Sequence, residues 1–168
     1  MTIQKLFITF FGIGLSPKAP GTAGSFAGLI VGIMILSLLG EGTLFLATIA
    51  ISIVGIFEIN KYEQIVGTHD NQEIVIDEVA GMWIAMLITF PTAVKFSFLY
   101  PYGAFIAFFV SFLAFRLFDI WKPSTIGKID RDVKGGLGVM GDDIVAGIAG
   151  GILTVLLLIG FEKIVSII

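Results

Sequence analysis

The chain has 168 residues, with 13 acidic and 10 basic among them. Most of these charges fall in three short stretches whose residue types suit phosphate and metal chemistry. The densest holds Arg116, Asp119, Lys122, Pro123, Asp130, Arg131, Asp132, Lys134, Gly135, Gly136, Gly138, Asp142 and Asp143. Arg116 and Asp119 are three apart and share a helix face, and Pro123 stops that helix. Asp142 and Asp143 are expected at the N-terminus of a final helix. Acids there cap the backbone and complement the helix dipole, so one is expected to cap while its neighbour is left to ligate metal.

The second stretch runs Thr68-His69-Asp70-Asn71-Gln72-Glu73-Ile74-Val75-Ile76-Asp77-Glu78-Val79-Ala80-Gly81. Asp77 and Glu78 stand inside an apolar run, about one turn into a predicted membrane helix. An ionised Asp at the centre of such a helix costs about 2.5–3.5 kcal/mol on insertion scales. Nearer the interface the cost falls, but it still calls for a cation, a basic side chain or water; a simply wet interfacial pair is the other reading. His69 is the single histidine. It reads equally as a catalytic acid or as a loop residue before a helix. The third stretch, Gly14-Leu15-Ser16-Pro17-Lys18-Ala19-Pro20-Gly21-Thr22-Ala23-Gly24-Ser25, leads into the first span. Its small residues admit a ligand close to the backbone, and a helix N-terminus attracts anions. Lys18, Thr22 and Ser25 are candidate phosphate partners, with an ordinary capped loop as the alternative.

Several carboxylates and no cysteine favour a hard, oxygen-seeking cation such as Mg²⁺, and one histidine cannot build a multi-histidine zinc site. Basic residues among the acids suit a phosphate held beside that metal. A water activated by the metal is then the simplest nucleophile. The expected substrate is a phosphate that reaches a bilayer interface, carried by a phospholipid or a polyprenyl chain.

Elements that position these groups must cross a membrane. The hydrophobic fraction is 57% and the charged fraction 14%, against about 25% charged in a soluble domain. Mean hydropathy is +1.03. Net charge of −3 argues against nucleic acid, which calls for a basic patch. A spanning helix needs about 20 apolar residues, and five runs approach this, at about 24–39, 43–59, 74–90, 97–118 and 144–160. Gly40-Glu41-Gly42 predicts a tight hairpin between the first two. Pro91 is expected to end the third, and Pro101 is tolerated near the start of the fourth. The apolar segment before Ser16 lacks a signal-peptide cleavage site and is expected to stay in the mature protein. It is short for a span and reads as a re-entrant or interfacial helix, a sixth span being the alternative. Glycines 24, 28 and 32, and 147, 150 and 151, offer small faces for close packing.

With five spans, Lys5, Lys18, Lys61, Arg116, Lys122, Lys128, Arg131 and Lys134 share one side, and only Lys95 and Lys163 take the other. This bias predicts a cytoplasmic location for the charged side. All acids but Glu41 and Glu162 follow it. A transporter or channel would also bury acids, but it predicts polar residues through the whole membrane depth. The second span and the far half of the last have almost none. A purely structural membrane protein gives no reason for acids and bases to converge.

The segments GLSPKAPGTAGS, HDNQEIVIDEVAGMWIA and FRLFDIWKPSTIGKIDRDVKGGLGVMGDDIVAG resemble the phosphatidylglycerophosphatase A family in order and spacing, from about Gly12 to about Gly151. The resemblance implies a single-domain, all-helical membrane bundle. It implies hydrolysis of phosphatidylglycerophosphate to phosphatidylglycerol and phosphate, with Mg²⁺, at a bacterial inner membrane. Positions matching the family are Lys18, Thr22, Ser25, His69, Asp70, Asp77, Glu78, Arg116, Asp119, Lys122, Asp130, Asp142 and Asp143. Ser124-Thr125 stand where the family commonly has an aromatic residue and a proline, and Gly141 replaces a bulkier residue; neither departure removes a charge.

Together these readings assign Asp77, Glu78, Asp142 and Asp143 as the main metal ligands, with Asp119 next as ligand or general base. Lys122, Arg116 and Lys18 are expected to hold the phosphate, helped by Thr22 and Ser25, with His69 as a further catalytic candidate. A phosphatase of another lipid or polyprenyl phosphate is the nearest enzymatic alternative.

Overall fold

The apolar runs become five helices long and apolar enough to cross a membrane. The computed structural model describes residues 1–67 and 71–167. In chain order these form α1 (Ile3–Ile8), a 3₁₀ turn (Ile13–Leu15), α2 (Pro20–Leu38), α3 (Glu41–Val66), α4 (Ile76–Leu99), α5 (Gly103–Trp121), α6 (Thr125–Asp132) and α7 (Gly136–Val165), with no strand among the described residues. The expected all-helical membrane bundle is therefore observed.

Helix α4 is the hub and packs against α2, α3, α5 and α7. In lipid, apolar side chains gain little by leaving an apolar solvent, so association depends on close packing and interhelical hydrogen bonds. Glycine provides the first. A methyl added at Gly147 would overlap the Gly81 carbonyl, and one at Gly24 would lie 2.6 Å from Val75 Cβ. Buried polar groups provide the second. The Trp83 indole N–H donates to the Gly28 carbonyl at 2.8 Å, and the Thr89 and Ser111 hydroxyls meet at 3.2 Å between α4 and α5.

Several boundaries differ from expectation, among them that of α5, which starts at Gly103 and not near residue 97, so that Pro101 lies in the turn before it. Helix α4 runs through Pro91 to Leu99 instead of ending there. A membrane helix tolerates the one lost ladder bond because neighbouring groups and local adjustment satisfy the freed carbonyl. Helix α3 continues to Val66, beyond the apolar run, and α7 begins at Gly136, eight residues before its apolar run.

The N-terminal segment is no sixth span, since α1 has only six residues. It docks on the bundle. The Gln4 amide donates to the Glu58 carbonyl at 3.0 Å, and the Val75 N–H donates to the Ile8 carbonyl at 2.9 Å. Lys5 Nζ lies 2.8 Å from Glu73, whose other oxygen accepts from the Tyr62 hydroxyl. Burial alone would raise the Glu73 pKa, but these two partners outweigh it and hold the carboxyl below its ordinary value. At the opposite end of the bundle, Lys95 pairs with Glu162 at 2.7 Å.

Candidate active site

At the charged end, the first residues of α2, α4 and α7 surround the end of α5, and α6 lies beside them. Between them is a cavity of about 650 Å³, lined by Thr22, Asp77, Glu78, Arg116, Asp119, Lys122, Asp130, Asp142 and Asp143 among others.

The α2 wall is backbone. Pro20 opens the helix, where its missing N–H is no loss. Ala19 precedes it in the left-handed region, at φ +46°, and no side chain caps the helix. The N–H groups of Gly21 and Thr22 thus have no helical partner, and both residues line the cavity. Any side chain at 21 would run into the Glu78 carboxylate and come within 3.5 Å of the Arg116 guanidinium.

Asp77 and Glu78 occupy the first turn of α4. Asp142 and Asp143 sit in the second turn of α7, so neither caps it. That end is capped from α3 instead, where Asn60 Oδ1 accepts from the Gly136 N–H at 2.8 Å. Adjacent residues on a helix diverge by about 100°, so the paired aspartates face different partners. Asp142 turns to Lys122 Nζ, 2.7 Å away. Asp143 turns to Asp77 and Glu78, and these three offer ligand oxygens all within 4.8 Å of one another.

This partition tests whether a cation fits. Asp77 is 7% exposed and Asp143 3%. Asp77 Oδ1, Glu78 Oε2 and Asp143 Oδ1 are each buried with no hydrogen-bond partner. Neighbouring cations are engaged elsewhere. Arg116 pairs with Asp119 and donates to Ser25 Oγ at 3.2 Å, while Lys122 joins Asp130 and Asp142. Three buried carboxylates converging beside a single guanidinium that already pairs with Asp119 are costly, and a hard divalent ion would satisfy all three orphaned oxygens. The donor set fits Mg²⁺, with Asp77, Glu78 and Asp143 as the set. Asp142 and Asp119, also expected as ligands, line the same cavity, where each holds an ion pair, with Lys122 and Arg116 respectively.

Lys122 follows the last residue of α5 in the left-handed region, at φ +46°. Burial would lower its pKa, but Asp130 and Asp142 outweigh burial and raise it above the ordinary lysine value. It is therefore a fixed positive charge at neutral pH.

The remaining expected residues lie elsewhere. Ser25 is fully buried, donates to the Gly21 carbonyl at 2.8 Å and braces Arg116 from behind the cavity wall. Lys18 is exposed and is not part of the lining. His69 and Asp70 lie outside the described residues. Sequence reasoning missed Gly21, Ile120 and Asn60. The glycine-rich loop pointed toward Gly21, but nothing in the sequence singled out the other two.

Five spanning helices with an acid- and base-lined cavity at one end define a polytopic membrane protein built to hold a polar, charged ligand at the membrane surface. The phosphatidylglycerophosphatase A family model matches residues 6–158, and the chain belongs to that family. It is thus an enzyme of the phosphatase class. A phosphatidylglycerophosphatase A of Escherichia coli (strain K12) is 37% identical over 145 residues, 85% of this chain and 77% of that protein. One of Haemophilus influenzae is 36% identical over 138 residues, covering 82% and 78%. A Bacteroides thetaiotaomicron protein, provisionally named a phosphatidylinositol-3-phosphatase, is 39% identical over 155 residues, covering 90% and 91%. No solved structure matches the chain.

Proposed function

We propose that this enzyme hydrolyses the terminal phosphomonoester of phosphatidylglycerophosphate, releasing phosphatidylglycerol and phosphate. In this reading Mg²⁺ is held by Asp77, Glu78 and Asp143, and the cavity opens at the cytoplasmic face of a bacterial inner membrane. The observation that carries it is the set of three buried carboxylates, each with an orphaned oxygen, in one cavity with Arg116, Lys122 and the start of α2. A divalent cation held there supplies positive charge against the phosphoryl oxygens and acidifies water.

The chain's own residues do the rest. The N–H groups of Gly21 and Thr22, with the Thr22 hydroxyl, receive phosphate oxygens at the positive end of the α2 dipole. Asp119 and Ser25 fix the Arg116 guanidinium, and Asp130 and Asp142 fix the Lys122 ammonium. Both cations are thus held in place before the substrate's charge redistributes, the condition under which electrostatic stabilisation is effective. Hydrolysis places the water oxygen on phosphorus and returns a proton to the released glycerol hydroxyl. The excess of basic residues at this end supports the cytoplasmic orientation.

Phosphate release by detergent-solubilised protein, assayed on phosphatidylglycerophosphate and a polyprenyl phosphate with and without Mg²⁺, tests the proposal. Mg²⁺-dependent release from the first is expected, and no release from either would overturn it. Phosphatidylinositol 3-phosphate belongs in the same assay, since the Bacteroides relative is named for that activity.

A further inference from the structure

The cavity walls are closed unequally. Between α2 and α4, a methyl at Gly28 would lie 3.2 Å from the Val79 Cα, and the Trp83 indole bonds to the Gly28 carbonyl. Between α5 and α7, a methyl at Gly150 would lie 2.7 Å from the Phe115 backbone nitrogen. Under α6, one at Gly127 would lie 2.5 Å from the Lys122 carbonyl oxygen. These seams are sealed by backbone at van der Waals contact. Between α2 and α5, among the described residues, the seam is held by side chains. Phe26 meets Phe112 edge-on with ring centroids 6.0 Å apart, and Arg116 reaches Ser25.

At the cavity end of that seam stands Ile120. It lines the cavity, yet it is 71% exposed. Leu117 and Leu113, one and two turns deeper on the same face of α5, are also exposed, and so is Phe26 across the seam. Trp121, 69% exposed, marks the interfacial level at which aromatic residues gather. An apolar track thus rises from lipid depth along α5 and ends on a residue of the polar cavity.

We infer that this seam is the lateral portal by which a diacyl lipid reaches the site. The phosphorylated headgroup turns into the cavity between Thr22 and Lys122. The acyl chains stay in the membrane along Leu113, Leu117 and Ile120, against Phe26. The inference rests on the proposed phosphatase reading and adds the route and the surface that read the lipid part of the substrate. It also gives a reason for the soft closure of the α2–α5 seam, since phenyl rings swing aside more readily than packed backbones separate.

The chain has no cysteine, so a single introduced thiol is a unique handle. Ile120→Cys, labelled with a bulky maleimide in the intact protein, should lower the ratio of long-chain to deacylated substrate turnover by about tenfold. Loss of a few methylene contacts produces an effect of that order. Ile120→Gln should shift the same ratio without any label, and Ile120→Leu should restore it. Labelled Leu46→Cys, exposed on α3, serves as the control with an unchanged ratio. An unaltered ratio in labelled Ile120→Cys and in Ile120→Gln would overturn the portal, as would equal loss on both substrates. If the unmodified enzyme releases phosphate from neither substrate, the phosphatase proposal falls instead.

Discussion

Gly81 couples helix packing to the candidate metal set. A methyl at this position would lie 2.6 Å from the Asp143 carbonyl oxygen and 2.6 Å from Phe115 Cε2. Ordinary contact begins near 3.4 Å, so Gly81→Ala forces α4 and α7 apart by about 0.8 Å at the residue that completes the set. Overpacking of this kind destabilises by about 1–3 kcal/mol. The functional effect should be larger. Mg²⁺ demands near-ideal octahedral geometry at about 2.0–2.1 Å, and a displacement near 1 Å at a reacting centre lowers rate by about a hundredfold. Gly81→Ala should therefore remain folded in detergent but lose about a hundredfold in kcat/KM, with a raised Mg²⁺ requirement. Gly151→Ala probes the same interface about 12 Å further along α7, where the added methyl meets Ile88 Cβ at 2.8 Å. It should lose comparable stability with much less loss of rate. Gly160 has open space around it, and Gly160→Ala should be neutral or stabilising by up to about 1 kcal/mol. Phosphate release titrated against Mg²⁺, alongside thermal unfolding in detergent, measures all three. If Gly81→Ala turned over normally with an unchanged Mg²⁺ midpoint, the placement of Asp143 in the metal set would be refuted.

Asp143→Asn should abolish Mg²⁺-dependent turnover yet unfold at the same or a higher temperature in chelator, because it removes one of three converging buried acids. Thermal melts with and without Mg²⁺ should show the ion stabilising the unmutated protein and not the variant. Lys122→Ala leaves Asp142, only 5% exposed, without its ammonium, and should lower stability by up to about 3 kcal/mol. Changing Asp142 to Asn in the same chain should recover part of that loss. The contribution of Glu73 to docking of the N-terminal segment is complete above the ordinary carboxylate range. Because its pKa is depressed by Lys5 and Tyr62, that contribution disappears as pH falls through the depressed value. Protection of the amides across residues 3–15, relative to their intrinsic exchange rates at each pH, should therefore fall in acid, and Glu73→Gln should show low protection already at neutral pH.

Much of this architecture was legible because lipid imposes a coarse rule: apolar runs of sufficient length must span, and charges must leave the hydrocarbon. Five spans and the gathering of Asp77, Glu78, Arg116, Asp119, Lys122 and Asp143 at one end follow from that rule with the motif spacing. Finer features depended on facts that no single stretch carries. Gly135, Gly136 and Gly138 read as loop, but Asn60, 76 residues before Gly136, caps the helix they begin. That is why Asp142 and Asp143 are interior residues of α7 and not its caps. Pro91 predicts a stop by the rule for water-exposed helices, but α4 continues through it among lipid and neighbouring helices. The division of five candidate carboxylates into three unpaired and two ion-paired depends on the 100° step between neighbours on α7, invisible until the helix has a start. Ile120 looked like any other lipid-facing residue until α2 was placed beside it.

The central position of α4 also bears on biosynthesis. Asp77 and Glu78 enter the membrane with the third span, but Asp143 and Asp142, one of the two partners of Lys122, arrive only with α7. Domains generally assemble from the N-terminal side during synthesis. Until α7 packs against α4, Asp77 and Glu78 lack Asp143, Lys122 has Asp130 alone, and Gly81 lacks its α7 neighbour. The proposed three-carboxylate site is therefore complete only after α7 has packed against α4.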